Sequence, residues 1–248
     1  MVKEPLKNAA GGAGKTRVEV LAKVVAFANI KGGVGKTTFA ANLSVALAKK
    51  KKSVYALDLD PQGSLESFLI DYEGEGVSTL QHKNIPVSSL GSLPKLIQTL
   101  AKTNKHIVLD VGGGDIASVQ NILGYTDWLI LPARPSKKDI ASTSALIASM
   151  ARRGDFTANP AINAVIVLNQ CSYHPLSTTA DEAAEALNAI IAQCNLADRI
   201  RVLDSRLNIA TAWIEADMEC RTIDEMGKSK AALQWGKLVA ELSKKGVI

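Results

Sequence analysis

An apolar run, Val24–Ile30, leads straight into Lys31-Gly32-Gly33-Val34-Gly35-Lys36-Thr37-Thr38, and a helical pattern starts directly behind it. Strand, glycine-rich turn and helix in that order make a cradle for phosphate. The glycines let the backbone turn tightly and bring several N–H groups towards phosphate oxygens, and the helix N-terminus adds partial positive charge. In such a loop Lys36 neutralises the β- and γ-phosphates of a nucleotide, and the Thr37 hydroxyl completes the shell of a Mg²⁺ ion. Gly32, Gly33, Val34, Gly35, Lys36, Thr37 and Thr38 are therefore the expected nucleotide-binding residues. A second string, Gly11 to Thr16, has similar letters but no apolar strand ahead of it to aim it, and is expected to be a decoy.

Further short apolar runs follow at Val54–Leu59, His106–Val111, Trp128–Leu131 and Ile162–Leu168, with a weaker one at Ile200–Leu203. Runs of this kind are strands buried on both faces. Between them lie segments of helical period: Thr37–Lys49, with Phe39, Ala40, Leu43, Ala46 and Leu47 on one face, then Ala183–Cys194 and Lys230–Ser243. Repeated β-α-β order predicts an α/β fold, a mostly parallel twisted sheet flanked by helices. The expected partition is a short N-terminal extension over 1–23 and one domain over 24–248. No apolar run is long enough to span a bilayer and residues 1–17 lack a signal-peptide core, so a cytoplasmic chain is expected. Three scattered cysteines and three histidines without ligand spacing argue against a disulfide framework or a zinc site.

Two further runs end in carboxylates. Asp58-Leu59-Asp60-Pro61-Gln62 closes the second strand, where alternation puts Asp58 and Asp60 on one side. Beside a phosphate loop, such a pair suits a Mg²⁺ shell and an oriented water. Ile107-Val108-Leu109-Asp110 has the Walker B form, with Asp110 expected to hold Mg²⁺. Val111-Gly112-Gly113-Gly114-Asp115 follows; its glycines suit a segment that moves on hydrolysis, and Asp115 is expected to cap a helix.

A phosphate loop of the usual form has glycine where this chain has Ile30, and it lacks the extra lysine, Lys31. That combination resembles the deviant Walker A motif of the ParA/MinD ATPases, and the Asp58–Gln62 stretch resembles their DxDPQ segment. The resemblance implies ATP and Mg²⁺ as cofactors and an ATP-dependent homodimer in which Lys31 reaches the partner's nucleotide. It implies catalytic parts for Lys31, Lys36 and Asp60, the last positioning the attacking water, and metal parts for Thr37, Asp58 and Asp110. Leu131–Ser136 is similar to the family's "P…PS" strand end. Val167-Leu168-Asn169-Gln170 resembles its strand end beside the adenine, which makes Asn169 a base contact. The Gly112–Gly114 run departs from the family's Thr-Pro-Pro-like continuation.

Fewer than thirty residues precede the first strand, too few for a helix-turn-helix domain, so contact with DNA would be to phosphates and indifferent to sequence. The net charge of +5 permits it. Arg199, Arg201, Arg206 and Arg221 are the candidate contacts, and Val202–Arg206 is similar to the late segment where the family carries an arginine used against DNA. The implied function is plasmid or chromosome partition: a nucleoid-associated ATPase stimulated by a ParB-like centromere-binding partner on the cargo. Alternatives are a MinD-like membrane switch, using Leu233, Trp235, Leu238, Val239 and Leu242 as a lipid-facing stripe, and a relative that positions a conjugation or chemoreceptor complex.

Overall fold

In a computed structural model the described residues are 22–114, 116–174 and 176–248, without the side chains of 87 and 88. The Gly11–Thr16 string, most of the 1–23 extension and Asp115 lie outside the described residues. The chain order is β1 (Lys23–Phe27), α1 (Lys36–Lys49), β2 (Val54–Asp58), α2 (Ser64–Asp71), β3 (Leu80–Asn84), α3 (Leu93–Leu100), β4 (His106–Asp110), α4 (Ile116–Leu123) and β5 (Trp128–Ala133). It continues with α5 (Lys137–Arg153), the single turn α6 (Asp155–Ala158), β6 (Asn163–Cys171), α7 (Thr179–Gln193), β7 (Ile200–Asn208), α8 (Thr211–Met218) and α9 (Lys230–Lys244).

The strands form one sheet in the order β3-β2-β4-β1-β5-β6-β7, and every neighbouring pair is parallel. β1 shows why its run is apolar throughout. Val24 and Ala26 face one core, with Ile97, Ile122 and Leu146; Val25 and Phe27 face the other, with Phe39, Leu43 and Trp235. Adjacent strand residues point to opposite faces, so a strand covered on both sides must be apolar at each position. From β1 the chain moves outward to β2 on one side and later to β5 on the other. Such reversal points place functional loops at the C-terminal ends of the central strands.

The apolar pattern of the sequence does not predict β3. Its sequence, LQHKN, alternates half-buried and exposed positions at the sheet edge and carries no apolar run. The other edge, β7, is nine residues long, and α9 covers part of it. The Glu241 carboxylate accepts the amides of Asp204 (3.1 Å) and Ser205 (2.9 Å), and Gln234 accepts that of Asn208 (3.1 Å). Edge amides paired this way cannot template another strand.

The stripe of α9 faces inward. Trp235, Leu238, Val239 and Leu242 are buried, Trp235 lies 5.6 Å from the Phe39 ring, and of the five only Leu233 is exposed. Undocking α9 into lipid would bare the sheet beneath to water, at about 25 cal/mol per Å² of apolar surface. The helix is a core element, and the membrane alternative loses its stripe. No helix among the described residues is long and apolar enough to cross a membrane.

A polar hub ties α1 and α2 to the turn before α9. Lys49 at the end of α1 pairs with Glu225 (2.9 Å) and Asp224 (3.3 Å), while Tyr72, just past α2, donates to Glu225 (2.7 Å). Burial opposes ionisation of Glu225, but Lys49, Tyr72 and Thr222 outweigh it and hold the carboxyl at about 2, below its ordinary 4.5. A depressed carboxyl stabilises the fold fully above its unfolded value and loses that contribution as pH falls through the folded one. The fold is therefore expected to lose stability between about pH 4.5 and pH 2 in part through this group. Urea denaturation across that window should show a shallower pH slope for Glu225→Gln than for the parent.

Candidate nucleotide site

β1 ends at Phe27, and Ala28–Gly35 cross the top of the sheet before α1 begins at Lys36. Asn29, wholly buried, anchors this crossing. Its amide nitrogen donates to Pro132 O (2.8 Å) at the end of β5 and to the Thr143 hydroxyl (3.1 Å) on α5, and its oxygen accepts the Lys31 amide (3.3 Å). Neither Asn29 nor Thr143 was singled out in the sequence; an asparagine at the end of an apolar strand has no periodic signature. Ser136 caps α5 by accepting the Asp139 amide, and Arg134 holds the Asp139 carboxylate at 2.8 Å. The "P…PS" segment is thus the cap that fixes the helix over Asn29.

The two lysines of the loop are arranged differently. Lys36 is buried and its ammonium turns back to Lys31 O (3.3 Å). Burial pulls its pKa below the ordinary value against the opposing pull of Asp110 and Asp60. Lys31 is half-buried, and its ammonium makes no ion pair or hydrogen bond among the described residues. One cation thus serves the inside of the loop, and the other is left at its rim beside the exposed Gly32 and Gly33.

Asp110 ends β4 in register with Phe27 on one side and Asp58 on the other. It is 1% exposed, and neither carboxylate oxygen has a partner at hydrogen-bonding geometry among the described residues. Burial pushes its pKa up to about 7, with Thr37 and Lys36 drawing it down and Asp58 and Asp60 adding to the rise. A buried carboxylate left without partners costs stability unless something binds it. Thr37 and Asp110 offer hard oxygen donors beside a phosphate loop, which fits Mg²⁺ held by a few protein oxygens and completed by phosphate. Among the described residues no group of three or more His, Cys, Asp or Glu could hold a metal alone, so the phosphates would supply the rest.

Asp58, expected as a metal ligand, is engaged by backbone amides in this structure. Its Oδ1 accepts the Asp60 amide (2.9 Å), and its Oδ2 accepts those of Leu65 (2.9 Å) and Glu66 (3.0 Å) at the start of α2. Three of roughly four acceptor sites on the carboxylate are thereby taken by backbone. Asp58 shapes the loop that carries Asp60 and caps α2 from outside the helix. Burial raises its pKa in spite of these three bonds.

Asp60 is held at the loop tip. Its Oδ1 accepts the Gln62 amide (3.0 Å), and its carbonyl accepts from Asn84 of β3 (2.9 Å). The glycine run explains the rest. A Cβ on Gly112 would lie 3.2 Å from the Asp60 carboxylate, and one on Gly113 would lie 3.0 Å from the Lys36 ammonium. The run therefore lets the segment after β4 press against the two charged groups where side chains would displace them. Gly35 is needed for another reason: φ is +102°, and a Cβ would meet Asn169 Nδ2 at 2.6 Å. Asn169, 7% exposed, donates to Val34 O (2.9 Å), so its amide nitrogen serves the phosphate loop.

The four arginines are not brought together. Arg199 donates to the carbonyls of Ile162 and Pro160 and stacks on Phe156, at the start of β7. Arg206 turns onto Leu203 O near the far end of that strand, about 20 Å away at strand rise. Arg221 pairs with Glu219 (3.2 Å) and donates to Glu225 O (2.8 Å). Three of the four are engaged by the chain itself, and Arg201 is left as the exposed, unpartnered one among the described residues.

Residues 25–248 match the CobQ/CobB/MinD/ParA nucleotide-binding domain family. The chain belongs to this family. The maintenance of carboxysome distribution protein A of Halothiobacillus neapolitanus is 32% identical over 151 residues, 59% of this chain and 65% of that protein. The chromosome partitioning protein ParA of Caulobacter vibrioides is 36% identical over 106 residues, 42% of this chain and 37% of that protein. The matched stretch thus spans less than two-thirds of either relative. An ATP complex of Cyanothece McdA superposes with a TM-score of 0.67 at 19% identity, covering 90% of this chain and 97% of the other, a likeness of fold. As a ParA/MinD-type member with a seven-stranded parallel sheet, the chain is a nucleotide-binding protein.

Proposed function

We propose that this chain is an ATP-hydrolysing positioning switch that dimerises on ATP. The observation that carries the proposal is the division of labour between the lysines: Lys36 is folded into its own loop, and Lys31 is left unpaired at the rim, its backbone fixed by Asn29. A cation held there suits the phosphates of a second copy. Mg²⁺, held by Thr37 and Asp110, would neutralise charge building on the phosphates. Asp60 orients the attacking water, with its carboxylate against Gly112 and its backbone held by Asp58 and Asn84. The Asn169 oxygen, which its bond to Val34 leaves available, faces the adenine amine in this scheme. Turnover by the chain alone is slow, because the second copy and a cargo-bound partner complete the site.

The dimer binds DNA non-specifically through phosphates and releases it when a ParB-like partner stimulates hydrolysis. The cargo class follows the relatives: chromosome partitioning and carboxysome distribution both occur among them. Sedimentation with a 60-bp random duplex tests the DNA step. Binding is expected with ATP and not with ADP, and to weaken by about tenfold or more between 50 and 200 mM salt. Dimerisation on ATP without DNA binding at low salt would replace the nucleoid track by a protein scaffold.

A further inference from the structure

Two neighbouring side chains at the end of β6 grip two consecutive carbonyls of the phosphate loop. Asn169 Nδ2 donates to Val34 O at 2.9 Å, and Gln170 Nε2 donates to Gly33 O at 3.0 Å. Adjacent residues of a regular strand point to opposite faces, so this pair should not be able to share a target. Gln170 breaks the alternation. Its φ is +55°, in the left-handed region that a glutamine seldom adopts, and the β6–β7 register shifts between Leu168 and Cys171 at the same place. The irregularity turns the Gln170 amide onto the loop beside that of Asn169.

A peptide unit is planar and trans, so its C=O and N–H point in opposite directions. Gly33 O shares a unit with the Val34 amide, and Val34 O shares one with the Gly35 amide. Holding both carbonyls on the β6 side turns both amides the other way, into the hollow of the loop. Neither amide has a partner among the described residues. Two unpaired donors aimed into one concavity form an anion nest.

We propose that Gln170 is a positioning residue for phosphate binding, acting with Asn169 to preset the Val34 and Gly35 amides for the β-phosphate before nucleotide arrives. The proposal rests on the nucleotide-binding reading of the loop, and it names residues outside the loop that set the loop's affinity. A left-handed backbone at a non-glycine residue is a strained arrangement that persists where surrounding contacts enforce it, and such positions cluster at functional sites. A merely structural glutamine would make the protein less stable when lost. A positioning glutamine held in a strained backbone behaves differently: replacing it with glycine relieves the backbone and loosens the grip.

The test uses the full chain and two probes, a fluorescent ADP analogue and inorganic pyrophosphate as its competitor; pyrophosphate has no base, so it isolates the phosphate contacts. For Gln170→Gly, both dissociation constants are expected to rise about three- to tenfold, the value of one hydrogen bond, while the melting temperature stays level or rises. Gln170→Asn, which tolerates the left-handed backbone and keeps an amide on a shorter arm, is expected to fall between glycine and the parent. Unchanged pyrophosphate affinity in Gln170→Gly would overturn the clamp alone. A parent protein that binds neither probe at millimolar concentration would overturn the nucleotide reading and the clamp with it.

Discussion

Asp60→Asn is expected to bind Mg²⁺-ATP within about threefold of the parent and to hydrolyse it about 10²- to 10⁴-fold more slowly, the range for losing a group that handles the reacting proton. The separation of binding from turnover follows from the geometry. Asparagine keeps the Oδ1 acceptor that receives the Gln62 amide, and the backbone bonds to Asp58 and Asn84 do not involve the side chain being changed. The loop should hold its shape while the carboxylate facing Gly112 loses its charge. Single-turnover hydrolysis, measured beside equilibrium binding of the fluorescent nucleotide, reads the two effects apart. A parallel loss of both would place Asp60 in ground-state binding, and unchanged turnover would remove it from the chemistry.

The second large effect has opposite signs with and without ligand. Asp110 is a buried carboxylate whose oxygens find no hydrogen bond of good geometry among the described residues. The pull of Thr37 and Lys36 does not offset its burial, which makes it a costly group to hold in a core. Asp110→Asn removes that charge without changing the shape. Without nucleotide the variant is expected to be more stable than the parent at pH 8, by about 1–3 kcal/mol. With Mg²⁺ and ATP the order reverses. The parent gains stability from the ligand in proportion to the logarithm of saturation, and the variant gains less because its metal site has lost an anionic donor. Thermal denaturation with and without Mg²⁺-ATP is the measurement. A variant less stable than the parent in both conditions would show that Asp110 is held by contacts within the protein.

The parts legible in the sequence are those with a dense local pattern. The Lys31–Thr38 loop, the Asp58–Asp60 strand end and the Asp110 strand end are each contiguous, and the topology brings all three to the C-terminal edge of β1, β2 and β4. The strands with apolar runs were equally readable. β3 was hidden because an edge strand buries little, and LQHKN has no period that tells it from a loop. Asn84, Asn29 and Gln170 were hidden for another reason. Each acts through long-range hydrogen bonds, such as those to Asp60 O, Pro132 O and Gly33 O, and such partners have no sequence spacing. Asp58 shows the converse. Its spacing from Asp60 correctly placed the two together at a strand end, and only the amides of Leu65 and Glu66 reveal that it serves the backbone. The arginines near β7 shared a stretch of sequence, but a strand and a loop carry them to separate places.

The proposed switch turns on Lys31 acting across a dimer that ATP assembles. Light scattering coupled to size-exclusion chromatography tests it most directly, using the Asp60→Asn background to preserve bound ATP. With Mg²⁺-ATP the mass is expected to be twice the 26.3 kDa of one chain, and with ADP a single chain. Adding Lys31→Ala should leave one chain in both, with ATP still bound through Lys36. A chain that stays single with ATP bound, or a dimer that forms equally well without the Lys31 ammonium, would contradict the account.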